Sequence, residues 1–314
     1  NCELYNWKEL ANKHRIAADN DADLLLQLLI KNIKNKKPTE KLLNNILKEL
    51  DGVFSFFLHN RTYNYTLLAR DVLGEKPLWF HHDKKSFIFA SERKAIASEK
   101  IEPEELNPRK IILYNNRNKK LTFFHQDFFK ITRSEKHLKE LPALMKEAIK
   151  KRIPDKNLGL LFSGGLDSTF LAFMLKELKV PFKAYMTVDA SKKDEIENAE
   201  KIARQLNFPL KIVGVTKEQV KKELPKVIQL IETADPVKVE VWLVMHFALK
   251  EAKKDKIKVI FSGLGADDIF AGYKRMYADQ DVSLDSLSSL RRIYERDLYR
   301  DDVITMDNRL ELRL

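Results

Sequence analysis

The sequence has little cysteine and no long apolar runs, and each shortage excludes a class of protein. Cys2 is the single cysteine among 314 residues, which excludes an internal disulfide framework and a cysteine-rich metal site. No stretch reaches the roughly 18 consecutive apolar residues that a membrane-spanning helix needs. The opening NCELYNWKEL also lacks the charged-then-apolar order of a signal peptide. We therefore expect a globular cytoplasmic protein without a membrane partner.

Apolar and charged residues are both abundant. Apolar residues make up 44% of the chain, which is enough to bury the cores of two domains. The formal net charge is +11, but 33% of all residues are charged and the lysines are spread over most of the chain. Nucleic-acid binding needs basic residues gathered on one face, so a mixed, solvated lysine surface is favoured over a nucleic-acid partner.

The first part of the chain predicts helices followed by an antiparallel sheet. Helical spacing of apolar residues covers 5–14 and 22–33, and Thr39 can cap a third helix that runs to Leu50. Short aromatic and β-branched runs separated by turn residues follow, namely FSFFLHN, YTLLAR, PLWFHH and SFIFAS. Further strands are expected between 101 and 133, and we place a domain boundary between 133 and 134.

Beyond that boundary helices alternate with short apolar runs. Helices are predicted at 135–152, 168–178, 194–206, 217–231 and 239–253, and strands at LGLLF, PFKAYMTV, PLKIVGV and IKVIF. Strands separated by helices of this length pair in parallel through right-handed crossovers, which predicts an α/β doubly wound sheet. Ligands of such sheets bind at the carboxyl ends of the strands.

The first motif with chemical meaning is SGGLDS, residues 163–168, directly after the strand LGLLF. Adjacent Gly164 and Gly165 let the backbone approach a ligand, and amides at a helix start donate to phosphate oxygens. Ser163 and Ser168 add hydroxyl donors. Asp167 would repel phosphate unless a divalent cation lies between them, so we assign it to Mg²⁺. The sequence has no GxxxxGK[ST], GxGxxG or GxSxG that would favour another nucleotide or nucleophile motif.

The second motif, SGLGADDIFAGY, residues 262–273, follows the strand IKVIF. Its glycines permit close approach at a strand end, and the carboxylates of Asp267 and Asp268 can meet a cation or an ammonium group. A bland surface loop of this composition is possible, but its place at a second strand end of the same sheet favours function.

These motifs together resemble a known family. SGGLDS resembles the pyrophosphate loop of ATP-pyrophosphatases, and the second motif resembles SGEGADELFGGY of asparagine synthetases. DVLGEKPLW and FASERKAI are similar to RDRLGIKPLYY and FASEIKAL of the same family's glutaminase domain. The resemblance implies a partial α+β N-terminal-nucleophile glutaminase domain over 1–133. It also implies an ATP-pyrophosphatase domain over 134–314, incomplete at its carboxyl end.

The resemblance also implies an activity and a set of site residues. A glutamine-hydrolysing asparagine synthetase uses ATP and Mg²⁺ to convert aspartate to asparagine through β-aspartyl-AMP, with ammonia from glutamine. The expected catalytic residues are Asp167, Asp267 and Asp268, of which Asp167 and Asp267 hold the metal. The residues expected to hold ATP and pyrophosphate are Leu161, Ser163, Gly164, Gly165, Leu166, Asp167, Ser168, Thr187, Ser262 and Gly263. Those expected to hold glutamine are Asn1, Cys2, Glu3 and Asp21.

Some positions depart from the family pattern. Cys2 replaces a glycine, and the family's nucleophilic cysteine would lie upstream of Asn1, so we expect truncation at both ends and no glutaminase activity in the chain as given. Leu264 replaces the usual glutamate, which leaves open a relative that acts on another carboxylate, such as a β-lactam synthetase, or a non-catalytic relative. A pyrophosphate-loop enzyme that modifies tRNA is favoured by net charge alone. The resemblance leaves a homodimer open.

Overall fold

The chain folds into two compact units, each described here by itself. The computed structural model describes residues 1–33, 37–98, 100–129, 136–155, 157–189, 191–273, 282–296, 304–308 and 310–313. The first unit consists of Asn1–Thr132 and Arg291–Tyr299, and the second of Arg133–Leu290 and Arg300–Leu314. The domain limits of 1–133 and 134–314 stay a proposal, to which the structure adds that the described residues 291–296 group with the first unit.

The first unit opens with the helices that the apolar spacing predicts. They are α1 (Trp7–His14), α2 (Asp21–Ile33) and α3 (Glu40–Leu47). Thr39 caps α3, because its side chain accepts from the backbone amide of Leu42 at 3.3 Å. The third helix ends three residues before the predicted Leu50.

Two antiparallel sheets complete the first unit. One has the order β1-β2-β3-β7-β8, formed by Cys2–Leu4, Gly52–Asn60, Tyr65–Arg70, Lys110–Asn115 and Lys120–His125. The other has the order β5-β4-β6, formed by Phe87–Ala90, Trp79–His82 and Glu104–Glu105. The apolar sides of α2 and α3 pack on one face of the larger sheet, in a cluster that includes Leu28, Leu43, Leu67 and Leu113.

The turn after β3 is organised by two buried charged residues. The carboxylate of Asp71 accepts hydrogen bonds from the amides of Gly74, Glu75 and Lys76 at 2.7 to 3.0 Å. Arg70 is fully buried, and its guanidinium donates to the Glu105 carboxylate at 2.8 Å. Asp71, the first residue of the string DVLGEKPLW, thus satisfies the backbone amides of a buried turn.

The second unit is built on a parallel sheet with the order β11-β10-β9-β12-β13. Its strands are β9 (Leu158–Leu161), β10 (Phe182–Asp189), β11 (Leu210–Val215), β12 (Val259–Phe261) and β13 (Glu311–Arg313). Every pairing among them is parallel. The predicted α/β fold class with a parallel sheet is therefore confirmed. The edge strand β13 was not predicted, because three residues carry too little periodicity to identify a strand.

Helices cover both faces of this sheet. The described helices are α4 (Lys136–Lys150), α5 (Leu166–Glu177), α6 (Lys193–Leu206), α7 (Lys217–Ile231), α8 (Pro236–Lys254), α9 (Ala266–Phe270) and α10 (Val282–Arg291). The α11 helix (Ile293–Arg296) belongs to the first unit. Ala184 and Met186 of β10 pack in the cluster with α4, α5 and α6, whereas Tyr185 packs in the cluster with α7 and α8. Alternate residues of one strand thus face opposite layers, which is the doubly wound arrangement.

The prediction for the start of α5 was wrong by two residues. The helix begins at Leu166, with Gly165 as its N-cap, instead of at Ser168. Asp167 and Ser168 therefore lie in the first helical turn, where backbone amides have no acceptor within the helix. The motif is a loop of three residues followed by a helix N-terminus.

Candidate nucleotide site

The two glycine-rich motifs lie side by side in the second unit. They follow β9 and β12, which are neighbours in the sheet and pair in parallel with Val259 opposite Leu158. A Cβ added to Gly263 would lie 3.0 Å from the Cβ of Asp167 and 3.5 Å from the backbone nitrogen of Ser168. Glycine at 263 thus permits the second motif to contact the first turn of α5. In the structure the two motifs therefore lie together at one edge of the sheet, as the sequence predicted.

The first motif keeps its shape through hydroxyl groups. The Ser168 hydroxyl accepts from the amide of Ser163 and donates to the carbonyl of Gly165, both at 3.2 Å. The Ser163 hydroxyl accepts from the amide of Gly165, also at 3.2 Å. Gly164 has a φ of +75°, in the left-handed region that favours glycine. The two serines therefore fix the loop from within.

Several amides of this loop remain open. Among the described residues we find no acceptor for the amides of Gly164, Leu166 and Asp167. Leu166 is 85% exposed, so its side chain takes no part in the core, and its place in the motif is explained by its backbone. A loop with open amides at a helix N-terminus is an anion-binding site, because the amide dipoles point at the space that an oxyanion would fill.

Two carboxylates lie near each other beside this loop. The pKa of Asp167 is raised above its usual value, first by loss of solvent and then by the nearby charge of Asp267. Asp267 is held against the backbone of Gly272, since a Cβ on that glycine would overlap the Asp267 Oδ1. A cation between the two carboxylates would relieve their repulsion, so both residues fit Mg²⁺.

The carboxylates alone would not form a complete cation site. The described part of the chain contains no group of three or more histidine, cysteine, aspartate or glutamate side chains that could hold a metal. Mg²⁺ usually takes one or two carboxylates together with phosphate oxygens and water. Asp167 and Asp267 match that donor set, with the remaining ligands supplied by a phosphate and solvent.

Asp268 has different surroundings from Asp267. It is 4% exposed, and its carboxylate accepts hydrogen bonds from the Ser289 hydroxyl and, at 3.3 Å, from the Tyr273 hydroxyl. The Ser286 hydroxyl donates to the Asp268 carbonyl. These contacts attach the short helix α9 to α10. Its predicted catalytic role stays a prediction, and the geometry adds a structural role.

The predicted nucleotide-binding side chains outside the loops lie at the carboxyl ends of neighbouring strands. Leu161 ends β9 opposite Tyr185, and Thr187 lies two residues further along β10. The Thr187 hydroxyl is buried and has no hydrogen-bond partner among the described residues. Ser262, 6% exposed, accepts from the Leu264 amide at 3.3 Å. The unpartnered hydroxyl at this edge is an unexplained polar group that a ligand could satisfy.

The residues predicted to hold glutamine lie together in the first unit. Asn1, Cys2 and Glu3 run alongside β2, and the Asp21 carboxylate accepts from the Leu4 amide at 3.0 Å. Burial, and next the charge of Asp21, raise the pKa of the Cys2 thiol to about 11. The thiol therefore stays protonated at neutral pH. A protonated thiol is unfavourable for a nucleophile, and the prediction that Cys2 is not the nucleophile stays a prediction.

The sequence analysis missed one side chain next to the loop. Asn198 lies on α6, with its Nδ2 3.4 Å from the position that a Cβ on Gly164 would take. It stands 34 residues after Gly164 in the chain, in a helix with no glycine or other local signal of a site. No sequence pattern could have identified it. Among the helices of the described residues, none has the length and apolar character to cross a membrane.

The fold and the site together define a class of protein. A doubly wound parallel sheet, an open-amide loop after one strand and carboxylates after the next are the features of an α/β protein that binds nucleotide phosphates through an ATP-pyrophosphatase loop. Comparison with known sequences gives the family. The chain belongs to the asparagine synthase family, whose pattern matches residues 140–303, and a glutamine amidotransferase domain matches residues 1–98.

Individual relatives agree with this assignment over most of the chain. A putative glutamine-hydrolysing asparagine synthetase from Methanocaldococcus jannaschii is 30% identical, with 100% of this chain and 61% of the relative covered. The Rattus norvegicus asparagine synthetase is 28% identical, with the same two coverages. Asparagine synthetase B of Escherichia coli is 24% identical, with 87% of this chain and 51% of the relative covered. The chain thus spans between half and two thirds of the length of these relatives.

Proposed function

We propose that this chain takes part in the ATP-dependent amidation of a carboxylate, with aspartate as acceptor and asparagine as product. The observation that carries the proposal is the contact between the two motifs, which places the open amides of the first loop beside the carboxylates of Asp167 and Asp267. The names of the relatives, glutamine-hydrolysing asparagine synthetases, support the choice of reaction.

In the first step an oxygen of the aspartate β-carboxylate attacks the α-phosphorus of ATP. The bond from that phosphorus to the oxygen bridging the α and β phosphates breaks, and pyrophosphate leaves with the electron pair. The products are β-aspartyl-AMP and pyrophosphate. The loop amides hold the leaving pyrophosphate, whose growing negative charge they stabilise, and the Ser163 and Ser168 hydroxyls keep the loop in the shape that presents those amides.

Asp167 and Asp267 hold Mg²⁺ in this proposal. When bound, the metal neutralises phosphate charge and lets a carboxylate pair lie next to a polyanion. Both side chains would be in position to hold the metal, because Asp267 is fixed by Gly272 and Asp167 by the first turn of α5. Leu161, Thr187, Ser262 and Gly263 line the nucleotide, and the buried Thr187 hydroxyl gains a partner there.

In the second step ammonia attacks the acyl carbon of the adenylate. The carbon–oxygen bond to AMP breaks, AMP leaves with the electron pair, and the attacking nitrogen loses a proton, which gives the amide. The ammonia comes from glutamine, which Asn1, Cys2, Glu3 and Asp21 help to bind in the first unit. The Asp21 carboxylate accepts from the Leu4 amide with one oxygen and from the Ala22 amide with the other, and the lone pairs that remain can meet an ammonium group.

A different carboxylate acceptor is the second candidate, and Leu264 is the observation that favours it. Leu264 packs against the apolar cluster between the sheet and α7 and α8. Its side chain can neither accept a proton nor bind an ammonium group, so an acid that presents an apolar group at this position would suit the site better than aspartate does.

Exchange of labelled pyrophosphate into ATP separates these candidates. The chain is assayed with aspartate, with more apolar carboxylic acids, and with no acid, each with Mg²⁺. Exchange that requires aspartate supports asparagine formation, and exchange that requires another acid supports the second candidate. Absence of exchange with every acid would contradict both.

A further inference from the structure

Helix α6 lies directly over the anion-binding loop. Ala199 is fully buried, and its Cα and Cβ are each 3.7 Å from the position that a Cβ on Gly164 would occupy. Asn198, the residue before it, brings its Nδ2 to 3.4 Å from the same position. The helix therefore forms a wall of the loop, and the side-chain amide of Asn198 is the polar group on that wall nearest to Gly164.

Asn198 has no structural task that the described residues reveal. Its side chain is exposed and makes no hydrogen bond to any described residue, whereas other polar residues of α6 form ion pairs, such as Glu200 with Arg204 at 3.3 Å. Asparagine is also a weaker helix former than alanine, lysine or glutamate. A side-chain amide without a hydrogen bond in the middle of a helix does not stabilise that helix.

The space between this amide and the loop is left open by glycine. Gly164 has a φ of +75°, and its own amide has no acceptor among the described residues. The Asn198 Nδ2 lies at ordinary contact distance from the position that a Cβ on residue 164 would occupy. An oxyanion bound by the Gly164 amide would therefore lie within reach of the Asn198 side chain. The amide group is neutral, so it adds a donor without changing the charge of the site.

We propose that the Asn198 side chain is a further ligand of the pyrophosphate, donating from Nδ2 to an oxygen of the phosphate held at Gly164. This inference rests on the proposed function, because it assigns the loop to the pyrophosphate of ATP. Through Asn198, helix α6, which lies outside the two motifs, also binds the leaving pyrophosphate. It strengthens binding of the pyrophosphate product and of ATP alike.

The test is direct binding of magnesium pyrophosphate to the whole chain, measured by titration calorimetry. Loss of a hydrogen bond to a charged group weakens binding about tenfold, which is the result expected for Asn198→Ala. Asn198→Asp should weaken it further, because a carboxylate would then face the phosphate. Gln205→Ala is the matched control, since Gln205 is another exposed amide on α6, seven residues on, and it should bind as the wild type does.

The outcomes separate this inference from the proposed function. Wild-type binding that Asn198→Ala leaves unchanged, or that Gln205→Ala weakens equally, would overturn the role of Asn198 while the loop keeps its ligand. A wild-type chain that binds no pyrophosphate would overturn the assignment of the loop, and the role of Asn198 with it. Circular dichroism melting of each variant verifies the fold, and an exposed helix position should accept alanine without loss.

Discussion

At the residue scale, the repulsion between the carboxylates of Asp167 and Asp267 destabilises the fold, and a bound cation would remove that repulsion. Desolvation and the charge of Asp267 both raise the pKa of Asp167, so its ionised form costs folding free energy above that pKa. The opposite holds for Asp255, whose pKa is lowered to about 2 by hydrogen bonds with Lys183 and Tyr185. Ionised Asp255 thus stabilises the second unit, whereas ionised Asp167 at the candidate site destabilises it. That pattern is typical of functional residues.

We predict that Asp167→Asn raises the melting temperature of the metal-free chain at pH 7 by about 1–3 °C, because it removes the repelling charge and keeps the shape. The gain should vanish below about pH 3.8, where the carboxyl is protonated in folded and unfolded chains alike. Differential scanning calorimetry with EDTA measures both values. With Mg²⁺ and ATP the wild type should gain more stability than the variant.

The control for this prediction is Asp155→Asn, an exposed aspartate of the same unit. It should leave the melting temperature and the response to Mg²⁺ and ATP unchanged. A metal-free Asp167→Asn chain that melts below the wild type would mean that Asp167 supports the fold, and it would count against the assignment of this carboxylate to a cation.

At the element scale, the buried carboxylate of Asp268 is one of the contacts that hold α9 against α10. Asp268 accepts from Ser289 of α10, and without that bond a buried charge would lose a donor. Ser289→Ala should therefore destabilise the second unit by about 1–3 kcal/mol, which is the cost of leaving a buried polar group short of a partner. Because α9 carries Asp267, the same change should weaken the binding of Mg²⁺ and ATP. Urea unfolding and nucleotide titration measure the two effects.

Ser288→Ala serves as the comparison, since Ser288 is the adjacent serine of α10 and is exposed. It should change neither stability nor binding. Equal effects of the two alanine variants would show that α10 responds to any substitution, and the anchoring role of Asp268 would then lack support.

The pair α7 and α8 is joined by a buried histidine. His246 is 0% exposed, its Nε2 lies 2.9 Å from the Glu223 carboxylate, and Lys250 donates to the same carboxylate at 2.6 Å. Burial lowers the pKa of His246, with Lys226 and Lys250 acting in the same direction and Glu223 opposing them. The pKa of Glu223 is lowered to about 2, first by Lys250 and then by His246.

These shifts predict acid lability in two stages. As pH falls through about 6.5 the unfolded chain protonates His246 and the folded chain resists, so folding stability decreases. As pH falls from about 4.5 towards 2, protonation of Glu223 in the unfolded chain lowers the folding stability further. His246→Phe should flatten the first stage in urea unfolding between pH 7.5 and 5.5, and His125→Gln, at an exposed histidine, should not. An unchanged slope in His246→Phe would contradict the assignment.

The sequence predicted elements better than it predicted contacts. Apolar periodicity located β9, β10 and α6 because each has enough residues to show its period. It placed the start of α5 two residues late, since glycine and serine suit both a loop and a helix N-cap. It could not show that Gly263 packs on Asp167, because that contact joins residues 96 positions apart. The sequence could not indicate that Asn198 lies beside Gly164 either, because these two residues are also far apart in the chain.

At the scale of the whole molecule, the two units carry two different signatures. The first has antiparallel sheets and a buried turn, and its residues 1–98 match the glutamine amidotransferase domain. The second has a parallel sheet and the anion-binding loop, and it contains most of the residues 140–303 that match asparagine synthase. Each unit has its own apolar core. For the second unit we propose activation of a carboxylate by transfer of AMP from ATP.

Transfer of oxygen from the acid to AMP tests that claim most directly. The chain is supplied with ATP, Mg²⁺, ammonia and aspartate labelled with ¹⁸O in its β-carboxylate, and AMP is analysed by mass spectrometry. Attack of the carboxylate on the α-phosphorus, followed by amidation, predicts one ¹⁸O atom in each AMP that is formed, together with unlabelled pyrophosphate. AMP without label, or ADP and labelled inorganic phosphate instead of AMP, would contradict the account.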